Sequence, residues 1–125
     1  MTDPATLRLA PDEFGRLVEK ALDDLPEEFA RALANIAVVI EDKPDPELLA
    51  EYGFDTDEEL LGLYEGVPLP ERDSFYQSLP DRISIFRGPI LRYCRSRREV
   101  IREVRETVVH EIGHYFGLSD DEMPF

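Results

Sequence analysis

Apolar residues near the start of the chain recur at helical spacing. Phe14, Leu17, Val18, Ala21, Leu22 and Leu25 fall on one side of a helix predicted from about Pro11 to Asp24. Pro26 predicts the start of a second, short helix through Phe29 and Leu33, with Glu27 and Glu28 in the first turn, where the helix dipole favours acids. The pattern then changes. Asn35-Ile36-Ala37-Val38-Val39-Ile40 is a β-branched run between charged residues and prolines, and it predicts a buried strand. Pro46 to Tyr52 predicts one or two helical turns stopped by Gly53, and Leu60 to Glu65 a second, short strand.

From Gly66 to Pro80 the chain has no period and holds Pro68, Pro70 and Pro80, so a long loop is expected. Its Phe75 and Tyr76 are expected to pack onto the core rather than cover a cleft. Arg82-Ile83-Ser84-Ile85-Phe86-Arg87 alternates as a half-buried strand does, and Gly88-Pro89 should end it. Ile90 to Cys94 adds a helical turn. A long last helix begins at Ser96 or Arg97 and runs to about Phe116, with Ser96 and Glu99 at the spacing of a capping box. Together these elements predict one α+β domain over residues 1–125. Its small sheet, of about three strands, packs against the N-terminal helices and the long C-terminal helix.

Composition narrows the function. The 125 residues carry a net charge of −14, which repels phosphate backbones, so nucleic acid is not an expected partner. Nothing approaches the roughly 18 apolar residues of a membrane span, and the first residues lack the basic start and apolar run of a signal peptide. Cys94 is the single cysteine, in keeping with a reducing compartment, so a cytoplasmic location is expected, and with it a monomer. The charge is uneven: Glu41 to Glu59 is almost purely acidic, whereas Arg82 to Arg105 holds eight arginines. A solvated helix face accounts for most of that basic cluster. Cys94 lies among those arginines, but the commoner role for such a thiol is a small buried one.

The strongest chemical signal is His110-Glu111-Ile112-Gly113-His114, followed by Gly117 and Asp120. On a helix His110 and His114 stand about 40° apart, one turn from each other, so both imidazoles can reach one ion. Gly113 and Gly117 fall on the same side and leave room for something to approach. Val100, Ile101, Val104, Val108 and Ile112 gather on the opposite side as a core stripe. Glu111 projects about 100° from His110 and can lean over a bound metal to accept a proton from water, the general-base role. The chain has only these two histidines, so a third ligand must come from elsewhere. Gly117 can end the helix in a left-handed conformation, and Asp120 is the first carboxylate able to return to the ion, with Asp121 and Glu122 as competitors. Two histidines, a carboxylate and a water complete a catalytic zinc site, one ion per chain.

His110-Glu111-x-x-His114-x-x-Gly117-x-x-Asp120 resembles the extended motif of minimal zincins. Leu63-Tyr64-Glu65-Gly66-Val67-Pro68-Leu69, Leu79-Pro80-Asp81-Arg82-Ile83, Phe86-Arg87-Gly88-Pro89 and Ser119-Asp120-Asp121-Glu122-Met123 extend the likeness to the short bacterial zincin-like metallopeptidase family. The resemblance implies an α+β fold with a small sheet against the motif helix, His110, His114 and Asp120 as ligands, and Glu111 as base. In zincins generally an extended substrate pairs with the edge strand preceding the motif helix, and by that analogy Ile83 to Arg87 is the candidate edge. Larger zincins also place a His, Tyr or Arg to stabilise the oxyanion. None follows Asp120 here, so either Tyr64, Tyr76, Tyr93 or Arg87 supplies the group from upstream or the stabiliser is absent. Met123 is expected to pack beneath the site.

Two functions follow. The first is a zinc-dependent metallopeptidase acting on a peptide or protein substrate. The second is a non-catalytic metal-binding or interaction domain that retains the site. Glu111 favours the first, since a structural site has no use for a base. The small size and missing oxyanion stabiliser favour the second.

Overall fold

The strands of the sheet are not ordered in space as they are in the chain. The computed structural model describes residues 7–54, 60–72 and 81–123. Phe75 and Tyr76 lie outside the described residues. Among those described, β1 (Ile36–Glu41), β2 (Gly62–Glu65) and β3 (Asp81–Phe86) form one mixed sheet in the order β1-β3-β2. β3 runs parallel to β1 and antiparallel to β2, so that Ile83 faces Val38 on one side and Tyr64 on the other.

This corrects the expectation that Ile83 to Arg87 offers a free edge. β3 is the central strand, and Ile83, Ser84, Ile85 and Phe86 are enclosed on both faces. The alternation suggested a half-buried strand because Ser84 breaks the apolar run, yet Ser84 is fully buried. Arg87 has already left the strand and begins α4 (Arg87–Tyr93). Gly88 and Pro89 sit in the first turn of α4, where a missing backbone N–H leaves no helical bond unmade. The edge on the motif-helix side of the sheet is β2.

The helices follow the sequence pattern closely. In α1 (Pro11–Asp23), Phe14, Val18 and Ala21 are buried at successive turns. α2 (Glu27–Ala32) opens after Pro26 and leads through a 3-10 turn, Leu33–Asn35, into β1. α3 (Pro46–Glu51) is capped by Asp45, whose carboxylate accepts a bond from the Glu47 amide at 2.9 Å. In α5 (Arg97–Tyr115), Val100, Val104, Val108 and Ile112 are completely buried, while Ile101 sits at the margin. This stripe joins α1 and the inner sheet residues Ile36, Tyr64, Ile83 and Ile85 in one core. The start of α5 is capped by Ser96, whose Oγ accepts from the Glu99 amide at 3.1 Å. The Glu99 carboxylate accepts from the Arg95 amide rather than from Ser96, so only half of the expected capping box forms.

Gly62 decides how near β2 can come to α5. A Cβ there would lie 2.5 Å from Thr107 Cγ2 and 3.0 Å from the Ser84 carbonyl oxygen. With hydrogen in that place, the edge strand presses directly on the helix that carries the motif. Cys94 is buried under α4 and its thiol is pushed up to about 11, chiefly by desolvation, so it is the inert thiol expected. No helix among the described residues is long and apolar enough to cross a membrane.

Candidate metal centre

One helical turn brings His110 and His114 together at the C-terminal end of α5. Their ring centroids are 4.9 Å apart and the planes nearly perpendicular, at 81°. Beyond His114 the helix ends in a Schellman motif. The Gly117 amide donates to the His114 carbonyl and the Leu118 amide to the Gly113 carbonyl, both at 2.9 Å. This closure needs φ of +91° at Gly117, which glycine adopts without strain.

The reversal has two chemical results. First, the Leu118 carbonyl comes within 3.1 Å of His114 Nδ1. A carbonyl only accepts, so Nδ1 carries the proton and Nε2 presents its lone pair to the site, the orientation that metal-binding histidines need. Second, Asp120 returns to the helix. Its Oδ1 lies 3.1 Å from His110 Nε2 and 3.3 Å from His114 Nε2. A tetrahedral zinc with bonds of about 2.1 Å holds its ligand atoms roughly 3.4 Å apart. The two nitrogen–oxygen separations therefore fit the edges of such a polyhedron, and an N2O donor set suits a borderline ion such as zinc.

The neighbouring carboxylates are sorted by their partners. Glu122 is engaged locally: its Oε1 accepts from the Ser119 amide at 3.0 Å and the Ser119 hydroxyl at 2.9 Å, which lowers its pKa. The bond from the Ser119 amide is the glutamate arm of a capping box on the 3-10 turn Asp120–Glu122, which the Ser-x-x-Glu spacing signals. Glu111 is close enough to join the histidines, with one potential ligand atom from each of the three within 4.8 Å of the others. It is buried, however, and its Oε1 accepts from the Tyr64 amide at 2.7 Å. Asp120 Oδ1 lies 3.1 and 3.3 Å from the two Nε2 atoms, and those short separations favour it as the third donor. Burial pushes Glu111 up to about 7; the Tyr64 amide pulls it down and the Asp120 charge raises it further.

The Tyr64–Glu111 bond follows from strand parity. The Phe86 amide donates to Leu61, so Leu61, Leu63 and Glu65 turn their main chain toward β3. Alternation then turns Gly62 and Tyr64 away from β3, toward the open edge beside Glu111.

Gly113 and Gly117 do not leave the room expected of them. Met123 packs onto Gly113 and Pro70 onto Gly117, so the chain's own residues fill those positions. Met123 thus braces the motif helix, as its place in the sequence suggested.

The oxyanion candidates fare unevenly. The Tyr64 hydroxyl is held beside Asp81 and Arg72, and burial with the Asp81 charge pushes it up to about 12. Asp81 pairs with Arg72, whose guanidinium lies over the Tyr115 ring. Arg87 pairs with Asp42 at 2.9 Å, and Tyr93 is exposed on α4. None of these three side-chain groups points to the histidines, and Tyr76 lies outside the described residues.

Among the described residues, recesses flank His110 and Glu111 on two sides. One, of about 420 Å³, is lined by Tyr52, Phe54, Leu60, Gly62, Leu63 and Tyr64 together with His110, Glu111, His114 and Asp120. The other, of about 280 Å³, runs toward Glu103 and Glu106. Sequence patterning missed the first recess because Tyr52, Phe54 and Leu60 are distant from the motif in the chain.

A conserved hypothetical protein from Thermus thermophilus shares this architecture, with a TM-score of 0.57 and 27% identity across 86% of this chain and 94% of that one. No curated protein matches. The profile of the zincin-like metallopeptidase family matches residues 33–124, a span that holds the whole sheet, the motif helix and the returning Asp120. On that match the chain belongs to the zincin-like metallopeptidase family.

Proposed function

We propose that this chain is a zinc-dependent peptidase in which His110, His114 and Asp120 hold one ion and Glu111 is the general base. The observation that carries the reading is the convergence of both Nε2 atoms on Asp120 Oδ1, with a buried carboxylate beside them. When bound, zinc supplies Lewis acidity and lowers the pKa of a water in its open position to roughly 7.

The protein's own groups do the rest. The Leu118 carbonyl fixes the His114 tautomer and ring orientation. The Tyr64 amide aims the buried Glu111 carboxylate, placing it to take a proton from water and return it to the leaving amine. With the Tyr64 amide held by Glu111, the outward main chain of Gly62 and the Tyr64 carbonyl are left for an extended peptide to pair with, so β2 replaces β3 as the substrate edge. Glu111 also speaks against the non-catalytic alternative: a buried carboxylate near two donor histidines is costly unless it has work to do.

The test is metal content by elemental mass spectrometry on protein purified without chelator or nickel, for wild type and His114→Ala, followed by a peptide-library screen. Near-stoichiometric zinc lost in His114→Ala, with cleavage abolished by Glu111→Gln, is the expected result. A wild type that takes up no zinc on titration would overturn the assignment. Zinc binding with no cleavage of any library member would favour the non-catalytic reading.

A further inference from the structure

The larger recess bears on what the site accepts, and this inference rests on the peptidase reading above. One of its walls is the metal centre, with His110, Glu111, His114 and Asp120. Facing it stand Tyr52 and Phe54 from the end of α3, and Leu60 and Leu63 from the approach to β2 and β2 itself. The turn that closes α3 brings the two aromatics to the recess. The Phe54 amide donates to the Leu49 carbonyl at 2.8 Å, and Gly53 takes φ of +79° between them.

Leu63 is buried, at 8% exposure, but the other three side chains are not spent on the core. Tyr52, Phe54 and Leu60 stand outside the core cluster and its packed margin, and Tyr52 keeps 46% of its surface exposed. None of the four carries a charge at neutral pH; the Tyr52 hydroxyl is raised further, first by burial and then by Glu65 and Glu51. An aromatic and aliphatic wall facing a metal centre across about 420 Å³ has the size and lining of a side-chain pocket. A charged side chain placed there would lose hydration without gaining a partner from that wall.

We infer that Tyr52, Phe54, Leu60 and Leu63 form the recognition pocket for an apolar side chain, aromatic or branched aliphatic, on the substrate residue flanking the scissile bond. Occupancy withdraws exposed apolar surface from water on both partners, and this is the source of selectivity.

The experiment compares two zinc-binding probes by calorimetry on the zinc-loaded full chain: acetohydroxamic acid, and 3-phenylpropionohydroxamic acid, which adds a benzyl arm. The arm should tighten binding roughly tenfold, the effect of about 50 Å² of apolar surface leaving water. Tyr52→Ala with Phe54→Ala should remove most of that gain and leave acetohydroxamate affinity unchanged. Tyr93→Ala, on the exposed face of α4, should keep it. Equal affinity of the two probes for the wild type, or a gain that survives the double substitution, would overturn the pocket. If acetohydroxamate itself does not bind, the metallopeptidase reading fails and the pocket loses its role with it. The ratio between the probes is thus a test of the apolar wall separate from the test of the metal.

Discussion

Replacing Gly117 by alanine tests how the helix end builds the site. At φ of +91° an alanine pays about 1–2 kcal/mol for the left-handed conformation. Its Cβ would also stand 2.6 Å from Pro70 Cγ and 2.9 Å from Pro70 Cδ. A proline ring cannot rotate aside, so the 3-10 turn Leu69–Glu71 must shift, adding about 1–3 kcal/mol for an overpacked contact. Together these give a loss of roughly 2–5 kcal/mol, or a fall of roughly 1–3 M in the urea midpoint for a small domain. Zinc affinity should fall too, by about 10- to 100-fold, because the Leu118 carbonyl behind His114 and the return of Asp120 both depend on this turn. Gly53→Ala is the matched control. Gly53 also has positive φ, +79°, but its added Cβ would meet nothing within 4 Å. It should cost only the conformational 1–2 kcal/mol and leave zinc affinity unchanged. Urea denaturation of the metal-free proteins and zinc titration with a chromophoric competitor read both quantities. If the two variants match in stability and in zinc affinity, the coupling of helix end to metal centre is refuted.

Other substitutions address the remaining roles. Glu111→Gln should retain zinc, since the amide oxygen can still accept from Tyr64, while peptide hydrolysis disappears; an equally active variant would remove Glu111 as base. Asp120→Ala should weaken zinc by more than tenfold relative to Asp121→Ala, as expected for a lost ligand against a bystander; equal effects in competitive titrations would displace Asp120. Cys94 predicts a pH dependence. Its folded pKa of about 11 lies above the ordinary thiol value of 9.0, so between those values the unfolded chain binds fewer protons and stability falls as pH rises. Relative to Cys94→Ala, the wild type should lose about 3 kcal/mol across that window, measured by urea melts from pH 8 to pH 11. Parallel curves would show that the thiol does not titrate as its burial requires.

How much of this could be read in advance varied with the range of the interaction. The stripe Val100, Val104, Val108, Ile112 and the pairing of His110 with His114 are set by helical period, which is local, and both were legible. Gly117 announced the helix end through a well-known preference, and the return of Asp120 followed from it. The central position of β3 was not legible, because strand order depends on pairing between segments far apart in the chain. A backbone group leaves no mark in a sequence, so neither the Leu118 carbonyl nor the Tyr64 amide could be named beforehand. The Ser119-x-x-Glu122 spacing is legible as a cap, but beside the motif the same carboxylate reads equally as a ligand, and only its bonds to Ser119 separate the two.

The proposed ligands His110, His114 and Asp120 all fall within one short stretch of chain, whereas the base is aimed by an amide 47 residues away. An ion held by so short a stretch closes only a small loop and restricts little of the unfolded chain. Its removal should therefore loosen the C-terminal turn without melting the sheet. Metal capture is in this sense portable, and an isolated peptide with the helix end and its turn would carry all three donors. Aiming the base is not portable, since it requires the long-range registration of β2 against α5, a contact of high sequence separation that forms with the fold as a whole. Damage to the sheet should accordingly leave a protein that still takes up metal but has lost the alignment of its base.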